Sequence, residues 1–330
     1  MNFNFNKMSN PFEKTKLSEK ISEKINFSKS EIERLSLLGI TLEDLKKLFK
    51  SETRQGHNAF VFSMEEKNII AKKNKKMQNS ISPEYAVLRV LQINDFKHTP
   101  APIFFVRSEE ILFEEQIDGH SVDLNNSDNI EKLAVVLANL HSIEFEKYGK
   151  PFSQRKRGNK WDNLLYNFDL LESVWKKLFK EIPKEEQLVD MSFFLEYLAQ
   201  FKDNAERNKN NFQGDKFSLI HFDLHPENII ERDDESIVLV DWGNASIGDN
   251  AMDIAKLFLK CNFNNDQEKS FFDNYSFKDD DLQARVKIYM PLVILNSIAW
   301  RLSVLHEGDC DNNKIINGLR HDVEIFNKKI

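Results

Sequence analysis

The chain has 330 residues, 41% hydrophobic and 30% charged with 27 phenylalanines, which suits a folded protein with one large core or two modest ones and excludes a disordered tail. A net charge of -7 argues against a general binder of nucleic-acid backbones, whose affinity comes from clustered Lys and Arg. Two cysteines, Cys261 and Cys310, support neither a disulfide framework nor a cysteine-rich zinc site and point to a reducing, cytoplasmic setting.

The opening MNFNFNKMSN lacks an apolar h-region, so no export signal is expected. The longest apolar run, around Met290 to Trp300, is about half of the roughly 20 residues that a spanning helix needs, so no membrane association is expected. The ten glycines nowhere take the spacing of a GxGxxG turn or a GxxxxGK[ST] loop, and GxSxG and HExxH are absent as well.

The first two dozen residues, rich in Asn, Lys, Ser and Glu, read as a loosely ordered arm. Ser28 to Glu31 and Thr41 to Asp44 each have the form of a helix N-terminal cap, so two short helices should follow. In the second, Leu42, Leu45, Leu48 and Phe49 share a face and should pack on the body. From Gly56 the pattern changes to a hairpin, Ala59 to Met64 and Ile69 to Lys72. A helix after Pro83 leads to two more strands, Ile103 to Val106 and Ile111 to Ile117.

After Asp118-Gly119 helical spacing dominates: Ile130, Leu133, Val136, Leu137 and Leu140, then runs near 161–180 and 190–206. Two brief apolar strands, Phe217 to Ile220 and Ile237 to Val240, interrupt it, and each ends in a polar cluster. The first cluster is His221-Phe222-Asp223-Leu224-His225-Pro226-Glu227-Asn228, where Pro226 prevents a helix; the second opens with Asp241-Trp242-Gly243. Taken alone, His221, Asp223 and His225 also form a candidate metal set. The spacing D-x-x-x-x-N followed by D-x-G is what phosphoryl transfer needs: one carboxylate to take the proton of an attacking hydroxyl, and oxygen ligands for a Mg²⁺ that bridges phosphates.

On these residues the chain resembles the protein-kinase-like superfamily, and within it the aminoglycoside phosphotransferase and choline kinase branch. His225-Pro226 after Asp223-Leu224, and Gly248-Asp249 with Asp253-Ile254-Ala255 soon after Asp241, carry the narrower likeness. No activation segment ending in A-P-E is present, and Phe222 replaces the Arg of H-R-D, which disfavours a regulated protein kinase.

The resemblance runs from about Gly56 to about Ala255. It implies an α+β, bilobal protein-kinase-like fold: a helical extension over residues 1–50, a small antiparallel sheet lobe with one helix over 51–117, and a larger, mostly helical lobe over 118–330. It implies Asp223 as catalytic base, Asn228 and Asp241 as holders of Mg²⁺, and His221, His225 and Asp253 in support. Gly56 and Asn58 would lie in the phosphate-covering turn, and Lys72, chosen over Lys73 by strand alternation, would steady the phosphates with Glu84 as its partner.

Glu115 and Ile117 would hold the purine of ATP or GTP. Phe222 stands where this branch usually has Gly, and Glu114 stands where a hydrophobic residue usually backs the purine; Glu114 leaves base choice open. The implied function is transfer of a γ-phosphoryl group to a hydroxyl of a small, perhaps cationic acceptor such as an aminoglycoside, with antibiotic resistance as one outcome. Choline, ethanolamine or another metabolite, a protein or glycated protein, and a nucleotide-binding pseudokinase stand as alternatives. Glu307, Asp309 and Asp311 form an acidic group where this family builds its acceptor pocket, although a solvated loop reads the same way.

Overall fold

In the computed structural model, residues 28–41, 44, 57–63, 68–74, 82–151, 155–183, 188–307 and 312–329 are described. Gly56, Asp309, Asp311 and the apolar face of the helix expected after Thr41 lie outside them. The chain divides into two compact units, Met1–Arg89 with Pro100–Gln116, and Val90–Thr99 with Ile117–Ile330.

The first unit contains helix α1 (Lys29–Leu37), strands β1 (His57–Ser63) and β2 (Asn68–Asn74), most of helix α2 (Ser82–Ile93), and strands β3 (Pro102–Val106) and β4 (Ile111–Glu115). The strands form one antiparallel sheet in the order β1-β2-β4-β3. Because side chains alternate along a strand, Ile69 and Ala71 of β2 and Ile111 and Phe113 of β4 share one face. There they are buried with Leu35 and Ile40, so α1 and the turn after it belong to this core.

Ser28 starts α1 with a complete capping box, its hydroxyl accepting from the Glu31 N–H and the Glu31 carboxylate accepting from the Ser28 N–H. The opposite face of the sheet carries Lys72, Leu112 and Glu114 and meets α2, where Tyr85 stacks on Phe105 at 5.1 Å.

The second unit is mostly helical: α3 (Ser127–His141), α4 (Lys160–Glu181), α5 (Met191–Glu206), α6 (Asn250–Lys260), α7 (Asn265–Asn274), α8 (Leu282–Glu307) and α9 (Asn312–Lys329). Two small antiparallel sheets are set among these helices. One joins β5 (His120–Ser121), β8 (Ile229–Glu231) and β9 (Ile237–Leu239); the other orders β10 (Ser246–Gly248), β7 (Phe217–Ile220) and β6 (Glu144–Phe145). The two-residue strands β5 and β6 carry no readable periodicity, so they appear only with their partners in place.

Helix α8 packs against α4, α6 and α9 and buries Tyr289, Ile294, Leu295 and Ile298. Its segment Leu282–His306 is long and apolar enough to cross a membrane by length and composition, a longer stretch than the sequence alone suggests. In the fold it is a core helix, and its first turn buries the charged Arg285.

Candidate active site

In the sheet unit, the register pairs Lys72 with Leu112 and Ile70 with Glu114, which sets Lys72 and Glu114 as diagonal neighbours on one face. The Lys72 ammonium lies 2.8 Å from Glu84 of α2 and 2.6 Å from Glu114. Lys73 points the other way and pairs with Glu109 at 3.0 Å. One cation thus lies between two buried carboxylates; Glu84 is the partner expected from the sequence, and Glu114 is a second that sequence reasoning places only beside the purine.

At the end of β4 the Glu115 N–H donates to the Ala101 carbonyl (2.9 Å) and the Gln116 N–H to Asn68 (3.0 Å), so the sheet uses both donors. The Ile117 N–H takes no part in these pairings. Asn58 sits in β1 opposite Lys73.

In the helical unit, β7 delivers the chain to His221, and Asp253 at the start of α6 receives it. The fully buried Asp253 carboxylate accepts the backbone N–H groups of His221 (2.9 Å) and Phe222 (2.8 Å), with His141 at 3.2 Å. Burial would raise the Asp253 carboxyl, but the bond and charge of His141 and the bond from His221 outweigh it and hold the group below its ordinary value. His141 is in turn 2.7 Å from the Tyr275 hydroxyl.

The His221 ring has both nitrogens engaged, Nε2 with the Val240 carbonyl at 3.0 Å and Nδ1 with the Asp223 N–H at 3.3 Å, and lies against Trp242. Burial holds its imidazole below the usual value. That uses up His221, one of the two histidines of the alternative metal set. Among the described residues no group of three His, Cys, Asp or Glu side chains is arranged to hold a metal.

Phe222 adopts φ 62°, the left-handed region that costs a side-chain-bearing residue about 1–2 kcal/mol. The expectation of Gly at this place therefore has a backbone reason. Next to it, the two oxygens of Asp223 are held separately: Oδ2 accepts from the Asn244 amide at 3.0 Å, and Oδ1 lies 3.5 Å from the Lys256 ammonium. Burial would raise the Asp223 carboxyl, but Lys256 first, then His225 and Asn244, hold it below the usual carboxylate range. Asp223 is therefore ionised at neutral pH and able to accept a hydrogen bond or a proton.

The 3₁₀ turn Pro226–Asn228 brings the buried Asn228 back, so that its Nδ2 donates to the Asp223 carbonyl (2.9 Å) while its own carbonyl accepts the Val240 N–H (3.0 Å). Those two bonds join the loop of Asp223 to the strand end bearing Asp241. With Nδ2 committed, the Asn228 side-chain oxygen is left as an acceptor, and the Asp241 carboxylate, on a residue with φ 65°, makes no hydrogen bond among the described residues. An amide oxygen and a carboxylate are hard oxygen donors, so this pair fits Mg²⁺ chemically.

The geometry therefore gathers Asp223, Asn228, Asp241, His221 and Asp253 in one unit, and Lys72 with Glu84 in the other. His225 precedes the 3₁₀ turn. Sequence reasoning missed Asn244 and Lys256. Lys256 had a faint signal, three residues after Asp253, the spacing that puts two side chains on one helix face, whereas Asn244, in the 3₁₀ turn after Asp241, had none.

The phosphotransferase enzyme family matches residues 57–287, more than two thirds of the chain. The chain belongs to that family. It is 33% identical over 103 residues to Protein LicA homolog of Mycoplasma capricolum, a stretch covering 31% of this chain and 43% of that one, so it spans less than half the length of this curated relative. Choline kinase LicA from Streptococcus pneumoniae has a similar fold, at TM-score 0.59 and 18% identity, covering 82% of this chain and 89% of the other. So does APH(2″)-IIa in a ternary complex with streptomycin and ATP, at TM-score 0.52 and 20% identity, covering 86% and 94%. The fold is the bilobal, protein-kinase-like one expected from the sequence.

Proposed function

We propose that this protein transfers the γ-phosphoryl group of ATP to a hydroxyl group of a small organic cation, an amino alcohol or an aminoglycoside. The observation that carries the reading is the Asp223 carboxylate, ionised, with one oxygen on Asn244, the other beside Lys256, and its loop tied through Asn228 to Asp241. Asp223 accepts the proton of the attacking hydroxyl as its oxygen bonds to the γ-phosphorus, and the bond from phosphorus to the bridging oxygen breaks to leave ADP. Asn228 and Asp241 are the residues that would hold Mg²⁺, which when bound neutralises charge on the phosphates. Lys72, kept in place by Glu84, supplies an ammonium for the non-transferred phosphates.

Streptomycin, bound with ATP in one structural neighbour, and choline, named in the activity of the other, are both alcohols bearing cationic nitrogen, which supports an acceptor of that chemistry. The test is ADP release with Mg²⁺ and ATP in the presence of choline, ethanolamine or streptomycin. Asp223→Asn should lower turnover by about 10²–10⁴-fold with nucleotide affinity retained. Turnover by that variant within a few-fold of the wild type would overturn the assignment.

A further inference from the structure

Lys256 belongs to none of the roles above, yet it is the cation nearest the proposed base. Three residues after Asp253, it lies on the same face of α6 and meets the same residue, Phe222, at its other end. Asp253 takes the Phe222 N–H, and the Lys256 ammonium donates to the Phe222 carbonyl. The ammonium also lies over the Phe222 ring, 4.4 Å from its centre, and 3.5 Å from Asp223 Oδ1, with only 12% of the side chain exposed. Helix α6 therefore grips both ends of one left-handed residue and, through the same lysine, one oxygen of the carboxylate that follows it.

A glycine would take this backbone without strain. What it lacks is a ring. Here the aromatic face covers one side of the ammonium, which leaves the carbonyl and the Asp223 carboxylate as its polar partners. Lys260, one turn later, turns away to Ser297.

We propose that Lys256 is a positioning residue for phosphoryl transfer: seated on the Phe222 ring, it fixes the Phe222 peptide and the Asp223 carboxylate in the orientation that receives the acceptor hydroxyl. This rests on Asp223 acting as the base of the proposed reaction. Asn244 fixes the other oxygen, so losing the lysine leaves Asp223 present but rotationally looser. The loss should appear in kcat, since a misplaced catalytic group costs rate more than nucleotide affinity.

The experiment measures kcat and KM for ATP with Mg²⁺ in wild type, Lys256→Met, Phe222→Leu, the double variant and Asp223→Asn. Choline, ethanolamine, streptomycin and water serve as acceptors, and rates are taken per molecule competent to bind ADP. Lys256→Met should lower kcat by about 10–100-fold with KM for ATP changed by no more than about 3-fold. Phe222→Leu should lower kcat by about 3–10-fold and add little in the Lys256→Met background, because both changes remove the same seat. Lys256→Arg, which keeps a cation over the ring, should be faster than Lys256→Met.

A Lys256→Met variant with unchanged kcat, a loss confined to KM, or effects that simply multiply would overturn the positioning role. If Lys256→Met does not fold, Phe222→Leu decides alone, an unchanged kcat overturning the proposal. Activity lost in Asp223→Asn but kept in Lys256→Met overturns this proposal only. A wild type that turns over ATP with none of the four acceptors overturns the functional reading, and this proposal with it.

Discussion

Each unit sets a cation between two buried carboxylates, and the two arrangements differ in what the cation can do next. In the helical unit, Arg285 bonds Asp249 (Nε to Oδ2, 2.9 Å), Asp279 (2.5 Å), and the carbonyls of Asn211 (3.2 Å) and Asp280 (2.7 Å). Asp279 also receives Lys160 at 2.8 Å, and Asp249 caps α6 through the Ala251 N–H. The planar fork is satisfied on every side by fixed groups, and its side chain is 2% exposed.

In the sheet unit, Lys72 is a point charge on a flexible stem, 15% exposed, held by Glu84 and Glu114. The first cation holds a domain together; in the proposed reaction the second would exchange one carboxylate for an incoming phosphate. Charge count does not separate the two, whereas exposure and the number and rigidity of the donors do.

The difference should break open most widely on Arg285→Met. Removing one partner of a buried network leaves Asp249 and Asp279 uncompensated, so stability should fall by about 3–5 kcal/mol, read from the urea midpoint. The folded fraction should still turn over ATP, and a loss below about 1 kcal/mol would mean that the network is ornamental.

Lys72→Arg sharpens the contrast from the other side. It keeps a cation for both carboxylates but replaces the point charge with a bulky fork, so unfolding should move little while kcat/KM for ATP drops about 10–100-fold. Equal activity in the arginine variant would show that Lys72 serves the fold as Arg285 does.

Acid gives a smaller and graded effect. Asp253 and Asp279 both have carboxyl groups held below their ordinary values; burial opposes this, and the bonds from His141 and from Arg285 respectively prevail. Because the folded state prefers their ionised forms, their stabilisation is fully present above about pH 4 and is lost as pH falls through the folded-state values below that. Urea midpoints measured at pH 5, 4 and 3 should decline steeply over the last interval. A flat profile would contradict the network. The smallest change belongs to Glu114→Gln, which leaves Lys72 with Glu84 and should shift stability by less than about 1 kcal/mol in a thermal melt.

Much of the candidate site is legible in the sequence. Alternation along β2 singled out Lys72 over Lys73, and the polar runs after β7 and β9 marked Asp223, Asn228 and Asp241. What escaped were partners supplied by other elements. Lys256 looks like any lysine on an amphipathic helix, because its interior position follows from where α6 meets the loop rather than from local pattern. Arg285 hides for the same reason, at the start of an apolar helix that gives no sign of burying a guanidinium. Phe222 was visible as a departure, but its meaning required a dihedral angle and the cation above its ring. Glu114 was visible too, and only the register of β2 against β4 brings it to Lys72.

The grip of α6 on residue 222 has a consequence for descent. A lineage that replaces glycine there with an aromatic side chain takes on a left-handed strain, which a lysine three positions beyond Asp253, seated on the ring, would offset. The two sites should accordingly have changed together. Among related sequences, a cation at the position of Lys256 should accompany an aromatic at that of Phe222, and glycine at the latter should release the former to vary.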